Sequence, residues 1–405
     1  WLSGAGVLKG RAAPASTRAA GAVSSAGEAV WATDAANAGA RPSKAVARAA
    51  ARTGRPWAGR EKCMAKIIRQ GGRRLLDSVG GPAPIDTVIQ TALLYAGHEP
   101  VSLHQQLQQR AAAGRPIRVG LIGAGKFGAM YLAQVPRTPG VHLAAIADLS
   151  PSAARANLAR VGWPAERSAA TSIDDALAHG STHVGEDWQA LVRHPAIDVV
   201  VECTGHPIAA VDHCLAAFEH GKHVVNVTVE ADAFCGPLLA RRAAESGVVY
   251  SLAFGDQPAL ICDLVDWART CGFPVVAAGR RHKWQPHFCE STPDTVWGYY
   301  GLSPEQAARG GLNPKMFNSF LDGSKPAIES TAVANATGLA VPADGLQYPL
   351  GSIADIPKLT RPCSEGGVLE KKGMVEVISS LRPDGTPIDY DIRMGVWVTV
   401  EAETD

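Results

Sequence analysis

Between residues 117 and 252, short continuous apolar runs alternate with longer segments in which apolar residues recur at helical spacing. The runs are typical of strands buried on both faces, and the longer segments of amphipathic helices. Strands followed by helices indicate βαβ units, and therefore an α/β fold with a doubly wound parallel sheet. The pattern predicts strands at 117–122, 142–147, 197–201, 222–227 and 248–252, and helices at 102–113, 151–160, 172–179, 186–193 and 207–219.

The pattern changes near residue 255. From there it predicts α+β structure, a substrate domain that covers the carboxyl edge of the first sheet. The predicted elements are helices at 257–271, 303–321 and 325–338, a strand at 274–279, a hairpin over 375–392 with its turn at 383–387, and a last strand at 395–401.

The two ends of the sequence differ from this core. Residues 1–60 consist mainly of Ala, Gly, Arg, Ser and Pro and show no apolar periodicity, which predicts disorder, with a transit peptide as the alternative. The sequence starts at Trp1 and its first methionine is Met64, which suggests a fragment. The last strand would need a partner, so we also expect truncation after it.

Composition excludes several classes of protein. The net charge of +1 and the lack of a basic stripe argue against a nucleic-acid partner. No apolar run reaches the roughly 18 residues that a membrane helix needs. The eight cysteines are scattered, without a CxxC pair, which favours reduced thiols and a cytoplasmic location over disulfides or a zinc site.

A glycine-rich turn joins the first predicted strand to a helix. In the pattern GxGxxG, Gly123 permits a tight turn, Gly125 admits a pyrophosphate and Gly128 allows close packing of helix and strand. The helix N-terminus would then offer N–H groups to the phosphates. The turn predicts a nicotinamide dinucleotide site, against the alternative of a fold that binds another nucleotide or none. Its residues are Gly123, Ala124, Gly125, Lys126, Phe127 and Gly128.

Asp148 follows the second predicted strand and bears on which nicotinamide is used. A carboxylate there accepts hydrogen bonds from a ribose 2′-hydroxyl and repels a 2′-phosphate, so NAD is favoured over NADP. The alternative is that Asp148 is only a turn residue before the helix at 151–160.

Polar residues also follow the later strands. Thr204 and Gly205 are predicted beside the nicotinamide ribose, together with Cys203, for which a thiolate nucleophile is the alternative to a small buried residue. Glu230 and Asp256 could orient a substrate hydroxyl, carry protons or hold a divalent cation, or could simply cap helices.

Two lysines are candidate proton donors. Lys283 ends the basic run 280–283, and Lys325 ends the turn 322–325, with Glu329 one helical turn beyond it. Either lysine could instead bind an anionic group or be a solvated surface residue. The basic run suggests an anionic ligand, although such runs are usually solvated.

The chain resembles the homoserine dehydrogenase-like oxidoreductases, and within them the 1-deoxy-D-xylulose-5-phosphate reductoisomerase-like group. The motifs that carry the resemblance are residues 116–125, 221–225, 229–232, 255–256, 322–325 and 334–339.

The resemblance implies three parts after the disordered extension at 1–80 and a helical preamble at 81–115. These are an NAD(P)-binding Rossmann domain at 116–255, a catalytic and dimerisation domain at 256–345, and a truncated β-rich part at 346–405 of the SAF type. It also implies a homo-oligomer, and in one branch NADPH-dependent reduction of 1-deoxy-D-xylulose 5-phosphate, which Asp148 disfavours.

The sequence therefore predicts an NAD(P)-dependent oxidoreductase acting on a small polar carbonyl or alcohol, phosphorylated or not. The catalytic candidates are Glu230, Asp256, Lys283 and Lys325. A homoserine dehydrogenase or another semialdehyde reductase is one alternative. A non-catalytic NAD(H) sensor is the other.

Overall fold

The computed structural model describes residues 102–392 and 394–402. The first helix, α1, spans Leu103–Ala112 and begins at a capping box, in which Ser102 and Gln105 bond each other's backbone N–H groups. This confirms the helix predicted at 102–113. The extension predicted at 1–80, and the preamble up to residue 101, lie outside the described residues.

Six parallel strands form the first sheet, in the order β3-β2-β1-β4-β5-β6. The order reverses between β1 and β4, so the loops after these two strands meet at one edge. The predicted doubly wound sheet is confirmed, although the short strand β3 was not predicted. The strands are β1 Ile117–Ile122, β2 Val141–Ala147, β3 His183–Gly185, β4 Val199–Glu202, β5 His223–Asn226 and β6 Tyr250–Leu252.

Helices cover both faces of this sheet. Successive residues of β1 point to opposite sides, so Leu121 packs in one apolar cluster and Ile122 in another. Serine, aspartate and proline at the first positions explain where most of these helices begin. They are α2 Lys126–Gln134, α3 Pro151–Arg160, α4 Ile173–His179, α5 Trp188–Arg193, α6 Pro207–Glu219 and α7 Val229–Glu245.

Helix α7 was not predicted, because its sequence contains two helix breakers. Cys235 has non-helical angles (φ −149°), and Gly236 and Pro237 follow it, so the helix is kinked there. No helix of the described residues is both long and apolar enough to cross a membrane.

The second half is built on a three-stranded sheet, in which β7 lies between β8, which is parallel to it, and β9, which is antiparallel. The strands are β7 Val275–His282, β8 Met374–Ser379 and β9 Val396–Val400; the helices are α8 Gln257–Thr270, α9 Val296–Tyr300, α10 Pro304–Arg309, α11 Pro314–Leu321, α12 Ser324–Thr337 and α13 Ile356–Leu359. Helix α12 packs on α7 of the first half, and Asn335 donates a 2.8 Å hydrogen bond to the carbonyl of Asp232.

Two predictions for this half are wrong. The single helix at 303–321 is two helices, because Asn313 caps a new helix that begins at Pro314. The hairpin over 375–392 forms only at its tip, where Arg382 N–H donates to the carbonyl of Thr386 and Ile388 N–H to that of Ser380, whereas β8 itself pairs with β7. A distant strand outcompetes the local partner.

The basic run also differs from its prediction as a surface for anions. Strand β7 extends through it, and Arg280, Arg281 and His282 are at most 8 % exposed. Arg280 forms an ion pair with Glu329 of α12, and Arg281 donates to the carbonyls of Gly351 and Ser379. Burial lowers the pKa of Arg280 only to about 10, so it is charged at neutral pH.

We predict that Glu329→Ala destabilises the protein by about 3–5 kcal/mol, because Arg280 would remain charged and buried without a partner. Urea unfolding measures this. Asp389→Ala, which removes an exposed pair with Arg382, should cost about 0–1 kcal/mol and serves as the control. Equal losses in the two variants would show that the buried pair does not anchor α12.

Candidate functional site

The glycine-rich turn lies at the carboxyl end of β1, and its three glycines have different surroundings. Gly123 has φ 91°, and a Cβ there would stand 2.9 Å from the carbonyl of Cys203. A Cβ at Gly128 would be 2.7 Å from the oxygen of Gly123, whereas one at Gly125 would meet nothing within 4 Å. Gly123 and Gly128 therefore allow close packing, and Gly125 borders open space where a phosphate can approach.

Helix α2 starts at this turn with Gly125 as its N-cap, and no side chain caps it. Its first residues, Lys126 and Phe127, are exposed, while Ala124 is buried. Uncapped N–H groups at a helix N-terminus bind anions. The turn thus fits the pyrophosphate of a dinucleotide.

Asp148 lies next to the same turn, at the end of β2. One carboxylate oxygen accepts from Ala124 N–H at 2.8 Å and the other from Ser150 N–H at 2.8 Å. Asn157 donates to the carbonyl of Ala124 at 2.7 Å. The carboxylate is half-buried, so it is held in place with part of its surface still open. Such a group fits a ribose hydroxyl beside the turn.

Cys203 packs against the glycine-rich turn and is hydrogen-bonded to it. It is 8 % exposed and its thiol donates to the carbonyl of Gly123 at 2.8 Å. Burial, with the nearby charges of Glu202 and Asp148, raises the pKa of this thiol far above its ordinary value. This geometry matches the small buried residue and not a thiolate nucleophile.

Glu202, the last residue of β4, received no role from its place at a polar strand end, yet it is fully buried. Its carboxylate accepts from the hydroxyls of Thr204, at 2.6 Å, and Thr228, and lies 3.2 Å from His213 Nδ1. Thr228 accepts in turn from Gly205 N–H at 2.9 Å. The signal for such a role in the sequence was a carboxylate at the end of an apolar run. The Glu202 carboxylate joins the loops after β4 and β5, and Thr204 and Gly205 remain exposed at the edge of the sheet.

The structure brings two of the predicted catalytic residues into contact. Lys325 Nζ, at the start of α12, is 2.9 Å from Glu230 Oε1, in the first turn of α7. Their side chains are 17 % and 29 % exposed, so the pair is reachable but largely shielded from solvent. Glu230 follows directly on the loop that Glu202 holds, at the edge where the glycine-rich turn lies.

Further charged residues lie near the Lys325–Glu230 pair. Glu329 is four residues beyond Lys325, which places both on one face of α12, and it binds Arg280. The negative charge of Asp256, the N-cap of α8, favours the charged form of Arg280, so these groups lie within electrostatic range. Asp256 therefore belongs to the same polar region, and its carboxylate also accepts from Gln257 N–H.

Lys283 is separate from these contacts. It follows β7, is exposed, and forms no ion pair within the part of the chain that the structure describes. In that same part, no group of three or more His, Cys, Asp or Glu side chains is placed to hold a metal ion.

Several solved structures are similar to parts of this chain. They include a homoserine dehydrogenase from Thiobacillus denitrificans (20 % identical, 56 % of this chain and 50 % of that one, TM-score 0.40). They also include an NAD-binding oxidoreductase from Klebsiella pneumoniae (20 % identical, 51 % of this chain and 54 % of that one, TM-score 0.31). A third is a Synechocystis biliverdin reductase with biliverdin and NADP⁺ (24 % identical, 42 % of this chain and 48 % of that one, TM-score 0.27). The chain thus covers about half the length of each. No curated protein matches it.

Two family matches cover nearly all of the core. Residues 123–251 match the family described as homoserine dehydrogenase, NAD binding domain. Residues 255–405 match the family described as oxidoreductase DRL, catalytic domain. The chain thus carries a region similar to a homoserine dehydrogenase NAD-binding domain, followed by a region similar to a DRL oxidoreductase catalytic domain.

Proposed function

We propose that this protein is an NAD(P)-dependent oxidoreductase that interconverts a small polar alcohol and its carbonyl compound, with Lys325 as the proton donor and acceptor. The observation that carries the proposal is the Lys325–Glu230 contact at 2.9 Å, beside the loops that follow β4 and β5. The bound nicotinamide would supply or accept the hydride.

The reaction at the substrate oxygen also needs a proton. The Lys325 ammonium can donate it to a carbonyl oxygen in reduction, and the neutral amine can remove it from an alcohol in oxidation. Glu230 fixes the position of Nζ through their 2.9 Å hydrogen bond. Asp256 supplies an acceptor for a further substrate hydroxyl.

Lys283 fits a different role. It lacks the carboxylate partner that would orient it for proton transfer, and its exposure suits contact with an anionic group of the substrate. We assign it to binding, so Lys283→Ala should act mainly through KM.

NAD is the favoured cofactor. The charge of Asp148 is held at the end of β2 by two backbone N–H groups, where it would repel the 2′-phosphate of NADP. Gly123, Gly125 and Gly128 would hold the pyrophosphate, and Thr204 and Gly205 would lie beside the nicotinamide ribose.

The substrate class follows from the charges that remain available. Because Arg280 and Arg281 are buried and engaged and Lys325 is assigned to proton transfer, Lys283 is the cation we assign to an anionic substrate group. A panel of phosphorylated ketoses and amino-acid semialdehydes, assayed with both cofactors, separates a reductoisomerase-like activity from that of a homoserine dehydrogenase. An NAD(H) sensor would bind cofactor and turn over none of them.

We predict that Gly125→Ala weakens NADH binding at least about tenfold without lowering the melting temperature, because the methyl group occupies open space where the phosphate approaches. Gly123→Ala should instead destabilise the fold, since φ 91° and the Cys203 carbonyl exclude a Cβ. Fluorescence titration and thermal unfolding measure the two effects. Unchanged NADH affinity in Gly125→Ala would contradict the assigned cofactor site.

We predict that Asp148→Asn shifts the ratio of NADP to NAD affinity at least about tenfold towards NADP, because it removes the negative charge and keeps the side chain's shape. Titration of both cofactors measures this, with the exposed helix cap Asp187→Asn as the matched control. A ratio that stays constant in both variants would remove Asp148 from cofactor selection.

We predict that Lys325→Ala lowers kcat about 100-fold or more while NADH affinity stays within about twofold. Lys325→Arg keeps the charge and its attraction to Glu230 but does not release a proton near neutral pH, so it should not rescue turnover. Lys372→Ala, which removes a surface ion pair with Glu401, is the control. Turnover in Lys325→Ala equal to the control's would refute the proposed role.

A further inference from the structure

A second cleft lies beside α7, at a face that neither Lys325 nor Glu230 lines. Its volume is about 730 Å³, within the range of small-molecule sites. The walls come from α7, β6, α8 and α12, and they are largely apolar, with Pro237, Leu252, Phe254, Ala259 and Ala336 among the lining residues.

Asp232 lies at the inner wall of this cleft and is only 5 % exposed. Its Oδ2 accepts from the Tyr250 hydroxyl at 3.0 Å, but its buried Oδ1 has no hydrogen-bond partner among the described residues. Behind Tyr250, the 1 % exposed Asn226 also has a side-chain oxygen without a donor there. An unpaired buried acceptor destabilises the fold, so Asp232 presents a site for a donor.

The charged residues of the cleft indicate that the donor belongs to a positively charged group. Asp263 and Asp266 of α8 also line it and are exposed, and none of the described lining residues is Lys, Arg or His. Burial raises the pKa of Asp232 to about 6, which leaves it mostly ionised at neutral pH. Three carboxylates without a counter-charge attract a cation and repel phosphates and carboxylates.

The apolar walls narrow the choice further. An inorganic cation would leave Leu252, Phe254 and Pro237 without a contact, whereas an alkyl chain buries against them. We propose that this cleft binds an organic amine, whose ammonium group donates to Asp232 Oδ1 and whose carbon chain lies along the apolar walls. A second ammonium of a diamine would reach Asp263 and Asp266. The site is distinct from the proposed catalytic pair and does not depend on it.

Isothermal titration of the full chain with 1,4-diaminobutane tests the proposal, with 1,4-butanediol as the uncharged probe of equal length. We expect saturable one-site binding of the diamine and none of the diol. Asp232→Asn keeps the shape of the side chain but removes its charge, and should weaken diamine binding at least about tenfold. Asp212→Asn, at an exposed position of α6, should leave the affinity unchanged.

A second variant tests the cleft independently, in case Asp232→Asn does not fold. Ala336→Phe places a ring into the cleft and leaves Asp232 intact, so it should also abolish diamine binding while the melting temperature and NADH affinity are retained. Absence of saturable binding to the wild-type chain, equal affinity in Asp232→Asn, or equal affinity for the diol would each overturn the proposal. Equal affinity in Asp232→Asn would indicate binding elsewhere, and equal affinity for the diol would indicate recognition of the carbon chain without its charge.

Discussion

The buried ion pair between Arg280 and Glu329 fixes the helix that contacts the first half of this protein to the central strand of the second half. It anchors α12 to the central strand β7, and α12 is also the helix that packs on α7. Because Lys325 is one turn before Glu329 on the same helix, the pair also determines where the Lys325 ammonium lies relative to Glu230. Fixing the relative position of packed elements is one recognised role of buried ion pairs in proteins.

A second buried carboxylate organises the other side of the site. Glu202 draws the loops after β4 and β5 together through Thr204 and Thr228. Both loops end at the edge of the sheet where the strand order reverses and where the glycine-rich turn lies. The loops that border the proposed cofactor site are thus fixed by hydrogen bonds to the end of β4.

Local patterns in the sequence predicted most of the first half. The buried strands, the glycine-rich turn with Asp148 and the capped helices depend on neighbouring residues, so period and composition reveal them. Helix α7 was not predicted, because the helix breakers Gly236 and Pro237 interrupt its helical spacing. In the second half, β8 pairs with a strand almost a hundred residues earlier, and no local pattern encodes that choice.

The same limit applied to the candidate site. Residue type identified Glu230, Asp256, Lys325 and Lys283 as candidates, but only the packing of α12 on α7 shows that Lys325 meets Glu230 and that Lys283 stands apart. The run 280–283 looked like a charged surface because its burial depends on two strands that lie far away in sequence.

The placement of β7 between β8 and β9 has a consequence for how the chain folds during synthesis. The six-stranded sheet is complete once residue 252 has emerged from the ribosome, whereas β7 must wait for residues 396–400 before its second edge is covered. Contacts of such long sequence separation form slowly, and an uncovered strand edge invites association with other chains. The second half therefore exposes an unpaired strand edge for longer during synthesis than the first half does.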